Sequence, residues 1–172
     1  TPVSGAASSS PYSVTFKATD NDGAGLSDSM TMSIFVTPVG SSTKNLTVKM
    51  SADNASEVYV NGVLVGTTSA WKTAGTFTTP LQSGTNVVAI KGIDAGGIAG
   101  LLADLVWDGS TAVSDTSWKV SPTLSPGWET VSFDDSNWSA ATSYGTYGIA
   151  PWLLRVVDFP TSSTAQWIWT SD

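Results

Sequence analysis

Apolar residues in this chain recur at every second position, in short runs broken by Gly, Asn, Asp and Pro. Val14, Phe16 and Ala18 alternate with polar neighbours, and Leu46, Val48 and Met50 do the same. A side-chain period of two belongs to strands with one buried face. No segment sustains the 3.6-residue period of a long helix. The breaks are turn formers. Asp20-Asn21-Asp22-Gly23 separates Ser13–Thr19 from Ser29–Val36, which reads as a β-hairpin. Asn61-Gly62 separates two short β-branched runs within Glu57–Val65, the strongest short-range hairpin signal. Further strands are expected at Thr76–Thr79, at Asn86–Lys91 as a central strand, and from Leu101 to Trp107. Several short strands with regular turns predict an all-β, antiparallel sandwich.

Composition narrows the function. Charged residues make up 12% of the 172, about half the usual share. Ser, Thr, Gly and Asn carry the surface instead, as in many secreted modules, so an extracellular or cell-surface location is expected. The net charge is −7 and only seven residues are basic. Phosphate contacts need clustered Lys and Arg, which argues against nucleic acid and anionic membrane surfaces as partners. The chain has no Cys, hence no disulfide, zinc-thiolate or thiol nucleophile. It also has no His, the commonest general base and transition-metal ligand. No apolar run approaches the roughly 20 residues that span a bilayer, so no membrane insertion is expected. Without a leader-like start, the chain is expected to be a mature fragment or an excised module.

Residues 1–11 are small, polar and Pro-punctuated, as in a linker. The last third holds Trp118, Trp128, Trp138, Trp152, Trp167 and Trp169. Asp134–Trp138 could open with a helical turn, since Asp and Ser cap well.

Several strings, in order, carry a resemblance: SADNASEVYVNGVLVG (51–66), LQSGTNVVAIKG (81–92), GIAGLLADL (97–105), SDTSWKV (114–120), GWETVSFDDSNWSAA (127–141) and YGTYGIAPW (144–152). Over about residues 45–152 the chain resembles the galactose-binding-like jelly-roll domains attached to bacterial glycoside hydrolases, notably rhamnosidase-type enzymes and their sugar-binding modules. The resemblance implies a jelly roll over residues 41–172, with residues 1–40 as linker and hairpin. That hairpin itself resembles the end of a cadherin- or immunoglobulin-like bacterial repeat. Two departures stand out. Ala165–Asp172 resembles the segment that opens the family's domain, yet here it lies at the C-terminus. Its usual successor, an edge of the type YFRxxF, is missing. A module cut from a tandem array, a hairpin that completes the same sandwich, or strand exchange between subunits would each account for this.

Candidate site residues follow. The resemblance implies that the pair Asp53-Asn54 holds a Ca²⁺ that meets sugar hydroxyls; carboxylate and amide oxygens suit this hard cation. Alternatively the pair only shapes a turn. Asp20, Asp22 and Asp28 form a second oxygen-rich group that begins like an EF-hand loop, but Thr31 stands where the twelfth-position glutamate belongs. A solvated hairpin turn is the competing reading. Trp71, Tyr147 and Trp152 lie in loops and are candidates to stack on a sugar ring. Trp107, Trp118, Trp138, Trp167 and Trp169 fit core positions. Glycosidases need paired carboxylates, and nothing in the sequence sets two together. The expected function is therefore a non-catalytic, calcium-assisted carbohydrate-binding module with a glycan or polysaccharide partner. The rival is a structural repeat of an adhesin, or a filament protomer that self-associates through its terminal strands.

Overall fold

A computed structural model describes residues 44–170, together with the two strands at residues 12–19 and 27–34. The chain divides into two compact units, Thr1–Ser42 and Thr43–Asp172. In the first, β1 (Tyr12–Thr19) pairs antiparallel with β2 (Ser27–Ile34), Tyr12 opposite Ile34 and Thr19 opposite Ser27. This is the hairpin expected from the alternation. Residues 20–26 and 35–36 of the stretch that resembles a cadherin or immunoglobulin repeat lie outside the described residues.

The second unit is an antiparallel sandwich with no α-helix among the described residues. The larger sheet is built on β3 (Asn45–Asp53), flanked by β6 (Gly75–Pro80) and β8 (Gly100–Trp107). Beyond β8 come β13 (Gln166–Trp169) and β12 (Thr142–Thr146), while β9 (Ser110–Val113) folds back on β8. The smaller sheet runs β5 (Val63–Thr68), β4 (Ala55–Val60), β7 (Val88–Ile93). A two-residue turn joins β4 to β5; Asn61 and Gly62 both take positive φ, +52° and +83°, as the twist of a tight hairpin requires. A short ribbon of β10 (Lys119–Val120) and β11 (Ser139–Ala140) completes the set.

Alternation along β3 explains the packing. Leu46, Val48, Met50 and Ala52 are buried against Val58 and Val60 of the small sheet, forming the core between the sheets. The opposite face of β3 and β8 is covered by the irregular segment after β12. There Leu102, Trp152, Trp167, Tyr147 and Phe159 make a second core. The outer face of the large sheet is thus apolar at Leu102 and Trp167, whereas the outward positions of β3, Thr47, Lys49, Ser51 and Asp53, are polar. Buried Ser114 ties its strands together: its Oγ accepts from the Ala103 N–H at 2.9 Å and donates to the Gln166 carbonyl at 2.7 Å.

One expectation is corrected. The β-branched run at 86–91 forms β7, but β7 is an edge strand, paired with β4 on one side only. Its apolar character comes from Val88 and Ile90 packing on the core, which an edge strand needs as much as a central one.

Candidate functional site

The site is built where β3 ends. Residues 51 and 53 point to the outer face of the large sheet, roughly 7 Å apart along the strand. Ser51 is fully buried, and its hydroxyl donates to the Trp71 carbonyl at 2.6 Å. That bond holds the loop between β5 and β6 against β3. A second clamp ties the same loop to the C-terminal segment: Ala74 N–H donates to the Val157 carbonyl, and Val157 N–H to that of Lys72. Trp71 is half-buried on the second core, with the Lys72 ammonium 5.6 Å from its ring centroid.

Asp53 stands opposite Gly100 of β8. A Cβ at Gly100 would sit 2.7 Å from the Trp152 ring. Glycine is needed here so that the indole can lie on the strand. Trp152 stacks on Trp167 at 4.4 Å and 15° between planes, and its Nε1–H donates to Asp53 Oδ2 at 2.9 Å. Asn54 follows, joined to Asp53 by a cis peptide bond. Its N–H donates to the Ile93 carbonyl, and its side-chain oxygen accepts the Ala95 N–H at 2.7 Å. The loop after β7 is thereby drawn over the pair, bringing Asp94, whose own carboxylate accepts the Gly96 N–H.

The five candidates from sequence thus gather at one end of the large sheet. Asp53 bonds Trp152; Tyr147 and Trp71 pack on the same cluster as Trp152. Their roles differ from expectation in two cases. Trp152 is 1% exposed, and Tyr147 is buried with its hydroxyl donating to the Val156 carbonyl. Neither ring is free to stack on a sugar. They support the corner, and Trp71 remains a partly buried aromatic beside it. Asp94 was not singled out from sequence, although its setting, a strand end followed by Ala-Gly-Gly, marks a tight loop. Asp20 and Asp22 lie outside the described residues. Asp28 stands on β2 opposite Ala18.

The corner offers the Asp53 carboxylate, accepting from Trp152, and the Asn54 amide oxygen, accepting from Ala95, hard donors of the kind Ca²⁺ takes. Among the described residues no three acidic side chains gather in one place. A cation here would draw its remaining oxygens from backbone carbonyls and from ligand hydroxyls.

The tryptophans assigned to the core divide. Trp167 is fully buried. Trp107, Trp118 and Trp169 are partly buried against the main core, and Trp118 and Trp169, with Trp138, also line an open cleft of about 560 Å³ beside β7, together with Trp128 and Phe133. Trp128 meets Tyr59 edge to face at 5.5 Å, and Phe133 meets Trp138 at 5.3 Å. Asp134–Trp138 forms a tight turn, with Ser136 N–H donating to Asp134 and Trp138 N–H to the Asp135 carbonyl.

No family model matches the chain. Over 120 residues it is 32% identical to an alpha-L-rhamnosidase of Streptomyces avermitilis, covering 62% of this chain and 12% of that protein. Among solved structures it is similar to a lectin from Pleurotus ostreatus in complex with GalNAc, at 35% identity and TM-score 0.62, covering 67% of this chain and 36% of the lectin. The apo form of that lectin aligns over 88% of this chain and 42% of its own, at 30% identity and TM-score 0.62. The Streptomyces avermitilis alpha-L-rhamnosidase complexed with L-rhamnose aligns at 30% identity and TM-score 0.61, over 65% of this chain and 12% of the enzyme. The chain thus spans less than half the length of each of these relatives. The resemblance read from the motifs holds: the second unit is an antiparallel sandwich of the galactose-binding-like jelly-roll type, similar to a lectin and to part of a rhamnosidase.

Proposed function

We propose that this chain is a carbohydrate-binding module that acts by recognition and not by catalysis. The observation that carries the reading is its likeness, at 30–35% identity, to two structures with a sugar bound. The corner formed by Asp53, Asn54 and the Trp71 loop supplies what a pyranose needs. Carboxylate and amide oxygens accept from hydroxyls, and a partly buried indole can receive a C–H face. Calcium fits this arrangement as a shared ligand, held by Asp53 and Asn54 and completed by vicinal sugar hydroxyls. Since two side chains are few for an ion that takes six to eight oxygens, sugar and calcium are expected to bind cooperatively. An extracellular setting, where millimolar calcium saturates weak sites, accords with the weakly charged, Ser/Thr-rich surface.

A glycan array probed in calcium and again in EDTA tests this. Binding to a neutral glycan that weakens in EDTA supports the reading, with L-rhamnose and GalNAc the first sugars to follow up. A blank array in both buffers contradicts it.

A further inference from the structure

The aromatic cleft shares no lining residue with the Asp53 corner, although Gly92 and Leu101 in its wall adjoin Ile93 and Gly100 of that corner. Its lining includes every residue from Val87 to Gly92. Successive side chains of a strand point to opposite faces. Consecutive residues can line one cleft only if it runs along the strand's edge. The hydrogen-bond pattern agrees. Asn61 N–H donates to the Val87 carbonyl, which fixes 61 and 87 as a hydrogen-bonded pair. Alternation then directs the backbone groups of Ala89 and Lys91 toward β4, and those of Val88, Ile90 and Gly92 away from it, into the cleft. The cleft also reaches the main core, because buried Leu101 and Ile168 form part of its wall.

We propose that this cleft is an acceptor for an added β-strand, supplied by a polypeptide partner that pairs with the free edge of β7. The partner's chemistry follows from the walls. Leu101, Ile168, Trp118 and Trp169 on the core side and Trp128 and Phe133 beyond it call for β-branched or aromatic side chains at alternate positions. Of the two charged residues in the lining, Lys91 is engaged by Glu57 at 3.0 Å. Asp135 makes no ion pair among the described residues and, on a chain of net charge −7, favours an Arg or Lys in the incoming strand. An extended peptide matches the backbone donors and acceptors of the edge.

The test uses the whole chain and a blocked heptapeptide in which Ser and Thr alternate with Phe and Val and one Ser is replaced by Arg. Tryptophan fluorescence should blue-shift on titration with the peptide. A twin peptide, N-methylated on the residues that face β7, should bind at least tenfold more weakly. The variant Ile90→Pro removes an edge donor that β4 does not use and should lose the peptide, whereas Ile90→Ala, which loses the same core packing but keeps the N–H, should retain it. Equal binding of the two peptides would overturn the proposal, leaving only a greasy groove. So would displacement of the peptide by an oligosaccharide, or a dimer that forms without peptide and blocks it. Sugar binding at the Asp53 corner should survive Ile90→Pro, so the two readings fail separately.

Discussion

At the residue scale, one hydrogen bond explains much of the corner. Trp152 is a core residue whose single polar atom reaches Asp53. Trp152→Phe keeps most of the apolar area and removes that donor. It should cost about 1–3 kcal/mol in urea unfolding, because a part-buried carboxylate loses its partner. Trp152→Ala should cost about 3–5 kcal/mol, the range for emptying a large core position. If Trp152→Phe left the midpoint unchanged, the bond would contribute nothing. A second residue-scale prediction concerns acid and base. Glu57 is held below the ordinary carboxylate range, first by the Tyr59 hydroxyl at 2.7 Å and then by the Lys91 ammonium. Tyr59 is raised above the usual phenol range, chiefly by the same bond. A lowered carboxyl stabilises the fold above its ordinary value, and that stability is lost as pH falls through the lowered one. A raised phenol stabilises below its ordinary value and is lost as pH rises through the raised one. The melting temperature of Glu57→Gln should therefore lie furthest below the parent between these limits, and approach it in strong acid and strong base. Parallel curves across the whole range would refute the coupling.

At the element scale, glycines in strands mark where rings lie on backbone. A Cβ at Gly92 of β7 would lie 2.4 Å from the Trp169 ring. Gly92→Ala should therefore destabilise the sandwich by about 1–3 kcal/mol, read as a lower denaturation midpoint with an unchanged slope. An unchanged midpoint would mean that Trp169 moves aside freely. The same element shows what the sequence could and could not reveal. Strands and the Asn61-Gly62 hairpin were legible because alternation and turn chemistry are local. That β7 sits at an edge was not, because a strand half-buried on one face reads alike at the edge and in the middle of a sheet. The burial of Trp152 and Tyr147 was equally hidden. Both occupy a Gly- and Pro-rich loop, and nothing local says that the loop folds back over β8 onto Gly100. The large rings at 118, 138 and 169 were read as core for their size. Trp118 and Trp169 do pack on it, but with Trp138 they also line a cleft whose existence depends on which strands pair, a long-range fact.

At the scale of the whole molecule, the second unit carries two distinct features on one scaffold. The large sheet has the main core on one face and the second core against Leu102 and Trp167 on the other, and the bonds from Ser51 to the Trp71 loop and from Trp152 to Asp53 fix the end of β3. The small sheet has only three strands and keeps the edge of β7 open. Recognition at the first feature is the central claim. Its most direct measurement is a calorimetric titration of L-rhamnose and of GalNAc into the chain, in calcium and in EDTA, repeated with Asp53→Ala and Trp71→Ala. The account predicts saturable binding of at least one sugar in calcium. EDTA and Asp53→Ala should abolish it, and Trp71→Ala should weaken it by roughly five- to thirtyfold, about 1–2 kcal/mol for a lost aromatic contact. Binding that is indifferent to calcium and to both substitutions would contradict the account, because the sugar would then be held somewhere else.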